Sequence, residues 1–377
     1  MLATRSRDAS SLRMQHQSWQ GIESRSRPLD ANGRVALLVH PSVTCVVPRW
    51  QCVYLLTYRT KSAEQTKFVT SVPSCLEPVN TQGDDTMTSD RNTDSNTLRN
   101  RYQRYFDINM FYHPCNSNRL TGQRRRELCV IIAARFGIVS PIVISEVFQM
   151  TRRKALLFLN KLVDEKLLEL VVTHRACDGR VYVLAYAGAS YASELMKIDV
   201  PFRSSSHPST QVNLNSVVHD SILSYVLLSG IQNCYADGTP NPLWYAFVSE
   251  LEFRRLYPAS AVKKVDGVVL CNDGSIAAVE LENSFKRKTQ HQESIYKFRD
   301  AIHGNPKLYD KVFFVGGSDK VFADTKRFHR QLLDELPHKQ DRKKGGNGLS
   351  KLEADSLRDT LIFRTKFTSP ITSLFYS

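Results

Sequence analysis

Val265 to Lys286 reads VDGVVLCNDGSIAAVELENSFK, and most of the architecture can be built from it. Cys271-Asn272-Asp273-Gly274 separates two runs rich in β-branched residues. An Asp-Gly pair in that place is a hairpin signal, because both residue types tolerate the positive φ of a tight turn. VDGVVL and SIAAVELE are therefore predicted as antiparallel strands. Upstream, WYAFVSELEF reads as another strand, and Ser216 to Leu228 as an amphipathic helix with Val217, Val218, Ile222, Leu223, Val226 and Leu227 apolar. Downstream, a helix from about Lys286 to Ile302 and the buried-looking strand KVFFVGG complete an αβββαβ order.

A second pattern lies nearer the N-terminus. A helix is predicted from about Arg124 to Phe136, a short one opened by Ser140-Pro141 and ending at Phe148, and a longer one capped by Thr151. Ser or Thr before a helix satisfies a free amide donor, and Pro at its first position removes one. The third helix gathers Ala155, Leu156, Leu159, Leu162 and Val163 on one face and leaves Arg152, Arg153, Lys154 and Lys161 largely elsewhere. LLELVVTHR and RVYVLAYAG follow as strands around Ala176-Cys177-Asp178-Gly179. Three helices and a β-ribbon make a winged helix-turn-helix. Arg152, Arg153 and Lys154 at the start of its third helix suit phosphates or base edges, with Arg175 and Arg180 flanking the wing tip. A unit of this kind also serves as a protein-interaction module.

The fold class expected is a mixed α+β chain with four regions. Residues 1–99 are an extension and linker expected to be poorly ordered, 100–200 the winged helix, 211–337 the αβββαβ domain, and 338–377 a basic linker with a short C-terminal segment. With 377 residues, and 51 Lys plus Arg against 37 Asp plus Glu, the formal net charge is +14, which favours an anionic partner. A hydrophobic fraction of 42% and a charged fraction of 23% exclude a wholly disordered chain and a membrane bundle. The apolar run from Val35 to Tyr58 is broken by Pro41, Pro48, Arg49 and Gln51, short of the ~20 apolar residues that a membrane helix needs. With no apolar segment behind the basic start, the expected compartment is cytoplasmic and no membrane insertion is expected. Eight scattered cysteines include no CxxC pair, so reduced thiols are expected rather than a zinc site.

Chemistry is concentrated around the hairpin. Asp266 begins one strand, and Glu280 and Glu282, two apart on the next, share a face. Glu250 and Glu252 show the same spacing in the strand-like WYAFVSELEF, and His219 lies on the preceding helix near Asp220. Carboxylates converging on one face favour a cation, and oxygen ligands suit magnesium or manganese. Lys286, four residues beyond Glu282, can point back to the same place. Such a set fits phosphodiester cleavage, in which a metal activates water and offsets charge on the phosphate. Glu at alternate strand positions also marks a sheet face that is simply wet. No GxxxxGK[ST] or GxGxxG occurs, and no His-x-His pair.

His219, SELEFRR (Ser249 to Arg255), VDGVV (Val265 to Val269) and AVELENSFK (Ala278 to Lys286), in that order, resemble the replication-relaxation family, and within it plasmid mobilisation relaxases of the MobC type. The resemblance covers about Asn100 to Pro337. It implies a winged helix joined to a restriction-endonuclease-like domain of the PD-(D/E)xK kind. It further implies Asp266, Glu280 and Glu282 as ligands of magnesium or manganese, Lys286 in the lysine role, and Glu250 or Glu252 as a further acid. Val265 stands where that signature has proline, and Glu282 where it has lysine. The activity implied is a metal-dependent single-strand nick at a plasmid transfer origin, with an accessory mobilisation protein and a conjugative coupling protein as partners. The alternative is a DNA-binding regulator of plasmid replication or mobilisation whose nuclease-like domain is inactive.

Overall fold

The computed structural model describes residues 89–202, 210, 212–339 and 348–376. The expectations for residues 1–88 lie outside these, as does most of the basic stretch after His338. The described chain is mixed α/β, a set of helices with a β-hairpin leading into a five-stranded mixed sheet. It begins with a helix, α1 (Ser89–Phe106), where a linker was expected up to residue 99. The polar sequence hides this helix, which is anchored from its second half. Leu98, Tyr102, Tyr105 and Phe106 recur at helical spacing and are buried, and the Tyr102 hydroxyl donates to the Leu308 carbonyl at 2.8 Å.

Helix α2 (Asn118–Phe136) starts six residues before its predicted position and is buried continuously from Leu128 to Phe136. Gly137, at φ 77°, ends it in the left-handed conformation. Helix α3 (Pro141–Val147) starts where Ser140 Oγ accepts the Val143 amide, and α4 (Arg152–Asp164) where Thr151 Oγ1 accepts the Lys154 amide, both at 3.3 Å. Strands β1 (Leu168–Val172) and β2 (Arg180–Leu184) pair antiparallel around Gly179, and Val139 bridges to Tyr182. Helix α5 (Tyr186–Met196) follows, a helix the sequence patterns did not single out.

Helix α6 (Val217–Gln232) leads into the sheet. Strand β3 (Trp244–Ser249) is followed at once by α7 (Glu250–Leu256), so Glu250 and Glu252 are helical and not, as expected, on a strand. The cause is a capping box: Ser249 Oγ accepts the Glu252 amide, and the Glu252 carboxylate accepts the Ser249 amide at 2.8 Å. Strands β4 (Gly267–Cys271) and β5 (Ile276–Glu282) form the expected hairpin, with Gly274 at φ 79° in its turn. Helix α8 (Lys288–His303), β6 (Lys311–Gly316), α9 (Asp319–Glu335), α10 (Lys351–Thr360), β7 (Leu361–Arg364) and α11 (Thr368–Phe375) complete the chain.

The sheet order is β3-β4-β5-β6-β7, with β3 to β5 antiparallel and β5 to β7 parallel. The parallel steps need crossovers, supplied by α8 and then by α9 with α10. Every residue of β5 is buried, as expected of a strand covered on both faces. The segment after residue 338, expected to be a linker and short tail, instead contributes two helices and the edge strand β7. One hydrophobic core runs from Leu98 to Phe375, and a smaller one under the hairpin joins Val171, Val181 and Val183 to Val212 and Val217. Among the described residues no helix is long and apolar enough to cross a membrane, and the described cysteines are unpaired.

Candidate functional site

Asp266 stands one residue before β4 and opposite the end of β5. Its amide donates to the Val279 carbonyl at 3.1 Å, and its Oδ2 accepts the Leu281 amide at 2.7 Å. Its Oδ1 lies 3.4 Å from His219 Nε2, so this carboxylate ties the hairpin to α6. Glu280 and Glu282 point the same way along β5 and are 3% and 4% exposed, which rules out a wet sheet face. Each has an ammonium beside it: Lys263 Nζ is 2.9 Å from Glu280, and Lys286 Nζ is 2.8 Å from Glu282.

Burial sets the electrostatics of this group and the pairings modify it. Burial alone would raise Asp266, yet the bond and charge of His219, the Leu281 amide and the nearby Lys263 hold it below the usual carboxylate range. Burial pushes Glu280 up to about 7; Lys263 offsets this only in part, and Asp266 and Glu282 add to it. For His219, burial pulls downward, but the bond and charge of Asp266, with Asp220 and Glu250 close by, raise it to about 9. At neutral pH the histidine is an imidazolium.

On the α6 side of Asp266 a cavity of about 440 Å³ opens between the end of α2 and the starts of α6 and α7. His219, Asp220, Glu250 and Arg254 line it. Asp220 accepts from Ser216 Oγ at 2.7 Å, and Glu250 pairs with Arg254. Burial raises both carboxylates. His219, Asp220 and Glu250 each offer a ligand atom, all within 4.8 Å of one another, whereas the expected trio Asp266, Glu280 and Glu282 is not drawn together that tightly.

Do these donors suit a hard divalent ion? Glu280 Oε1 and Glu282 Oε2 are buried with no hydrogen-bond donor aligned on them, although an ammonium is close to each. Glu280, held at about 7, is a carboxylate short of positive charge. Carboxylate oxygens of this kind fit magnesium or manganese in type. His219, Lys263 and Lys286 already provide much of the neutralisation.

The remaining site residues separate clearly. Glu252 faces elsewhere: its two oxygens take Arg135 Nε and an Arg135 terminal nitrogen at 2.9 Å each, in an ion pair 2% exposed or less. Its role is to join α2 to α7, and Glu250 is left as the acid beside Asp266. On α4, Arg153, Lys154 and Lys161 are exposed, and Leu157, 62% exposed, lies between them on the same face. Arg152 pairs with Asp178 in the hairpin turn at 3.1 Å, Arg175 bonds Asn215, and Arg180 is half-buried. Sequence reasoning missed Lys263 and Arg135. Lys263 was visible in the Lys263-Lys264 pair before Asp266, but its partner 17 residues on becomes apparent only once the hairpin is registered. No family model matches this chain, and the searches of curated proteins and of solved structures found no match.

Proposed function

We propose that the chain is a DNA relaxase: a winged helix-turn-helix, formed by α2 to α4 with β1 and β2, holds the duplex, and a PD-(D/E)xK-like αβββαβ domain nicks one strand. The observation that carries the reading is that Asp266, Glu280 and Glu282, all at one end of the β4–β5 hairpin, each have a cation beside them: His219, Lys263 and Lys286 in turn. Buried acids with matched cations cost folding energy, so a cluster of this kind is a reactive-site candidate. Arg153, Lys154 and Lys161 would meet backbone phosphates, while Leu157 offers an apolar contact to a base edge.

Asp266, Glu280 and Glu282 would hold magnesium or manganese, which when bound acidifies a water and offsets charge on the phosphate. The chain's own residues do the rest. Lys263 fixes the Glu280 carboxylate. Asp266 orients His219 through Nε2, and the imidazolium brings positive charge to where an oxyanion leaves. Lys286 on Glu282 adds a second cation.

One observation favours a second reading. Glu280 and Glu282 are already ion-paired, which suits a DNA-binding regulator of plasmid replication or mobilisation with an inactive domain. Supercoiled plasmid carrying a candidate transfer origin, incubated with magnesium, manganese or chelator, separates the two. Metal-dependent open circles that Asp266→Ala fails to produce, with DNA affinity retained, support the relaxase. Intact plasmid despite tight binding supports the regulator, and absence of both points to a protein-interaction module.

A further inference from the structure

A second cavity, of about 360 Å³, shares no lining residue with the first. Its wall carries Lys263, Lys264, Lys286 and Lys297, with Gln290 and Ser294 on α8, and one acid, Glu293. Like charges gathered in a concave surface focus a positive potential there. Two of these ammoniums face Glu280 and Glu282, so the cavity lies directly behind the acid cluster. Lys264 Nζ is already engaged, donating to the Tyr257 carbonyl and, at 2.7 Å, to the Ala259 carbonyl. Lys297 has no ion-pair partner among the described residues.

The neutral groups are of matching type. Gln290 Oε1 accepts the Arg287 amide at 2.9 Å, which leaves its NH₂ as a donor, and Ser294 adds a hydroxyl. No aromatic ring lines the cavity, so it has no platform on which a base could stack. Donors and cations without a stacking surface recognise phosphate and sugar, not base identity.

We propose that this lysine-lined cavity is a phosphate-binding site. Its phosphate comes either from the backbone of a DNA strand passing the acid cluster, a source that rests on the relaxase reading, or from a free anion. The test uses the full chain and the double variant Lys297→Glu/Ser294→Asp, which alters the wall without touching Glu280 or Glu282. Affinity for a single-stranded and a duplex oligonucleotide is measured across salt, and inorganic phosphate binding by calorimetry. A loss of about five- to tenfold in oligonucleotide affinity, with a salt slope smaller by about 0.7 to 0.9, assigns the site to a strand. Unchanged oligonucleotide binding with phosphate binding abolished assigns it to a free anion. If the variant, folded by circular dichroism, matches the parent in both assays, the site does not exist. A parent chain that binds no oligonucleotide but binds phosphate through this wall sinks the relaxase reading while leaving the cavity intact.

Discussion

Lys263 and Glu280 sit side by side in a buried setting, and each determines what the other can do. Replacing Lys263 with Met removes the chief positive charge offsetting the burial of Glu280, so the Glu280 carboxyl should move above its present value near 7. The expected result is a nicking profile whose acid limb shifts to higher pH; an unshifted limb would remove Lys263 from the site. His219 gives a second pH signature. Its folded value of about 9 exceeds its ordinary 6.5, so the stability it adds is complete below about pH 6.5 and is lost as pH rises through 9. The effect has an upper bound of about 3 kcal/mol. Denaturant unfolding of the parent and His219→Gln in chelator at pH 6 and pH 9.5 should give a stability gap that narrows at the higher pH. A constant gap would contradict the His219–Asp266 bond.

The elements divide into those declared by local chemistry and those declared only by packing. Ser140, Thr151 and the Asp-Gly turn carry their own reasons, and α3, α4 and the β4–β5 hairpin fall where those reasons put them. Ser249 and Glu252 form an equally local S-x-x-E signal, yet two alternating glutamates masked it as strand. The buried Arg135–Glu252 pair was illegible because its partners are 117 residues apart and Arg135 lies in the half of α2, Leu128 to Phe136, that otherwise looks purely apolar. Breaking that pair with Arg135→Ala should cost about 3 to 5 kcal/mol, and the double change Arg135→Met/Glu252→Leu much less. Equal losses by chemical denaturation would mean the pair does not act as a unit. On α4, Arg153→Glu and Lys154→Glu should each weaken DNA binding and lower the salt slope by about 0.9. A slope identical to the parent's would place the duplex on another surface.

Taken whole, the described chain is a helix–hairpin unit and a sheet sharing one core. The αβββαβ order was legible because its strands are short runs of apolar and aromatic residues, with β4 and β5 separated by an Asp-Gly turn. The additions beyond it were not: α1 is polar over its first turns, and β7 has four residues whose only signal is the edge of β6 they cover. A chain truncated after residue 338 should expose that edge and lose cooperative unfolding, eluting as aggregate in size-exclusion chromatography. The proposed relaxase activity divides between the helices, which hold the DNA, and the acids at the end of the β4–β5 hairpin, which cut it. It is tested most directly by comparing the parent chain with Glu280→Gln, following plasmid nicking in magnesium and oligonucleotide affinity in the same buffer. Glu280→Gln is expected to bind DNA like the parent but to leave the plasmid supercoiled. Equal nicking by both proteins would contradict it.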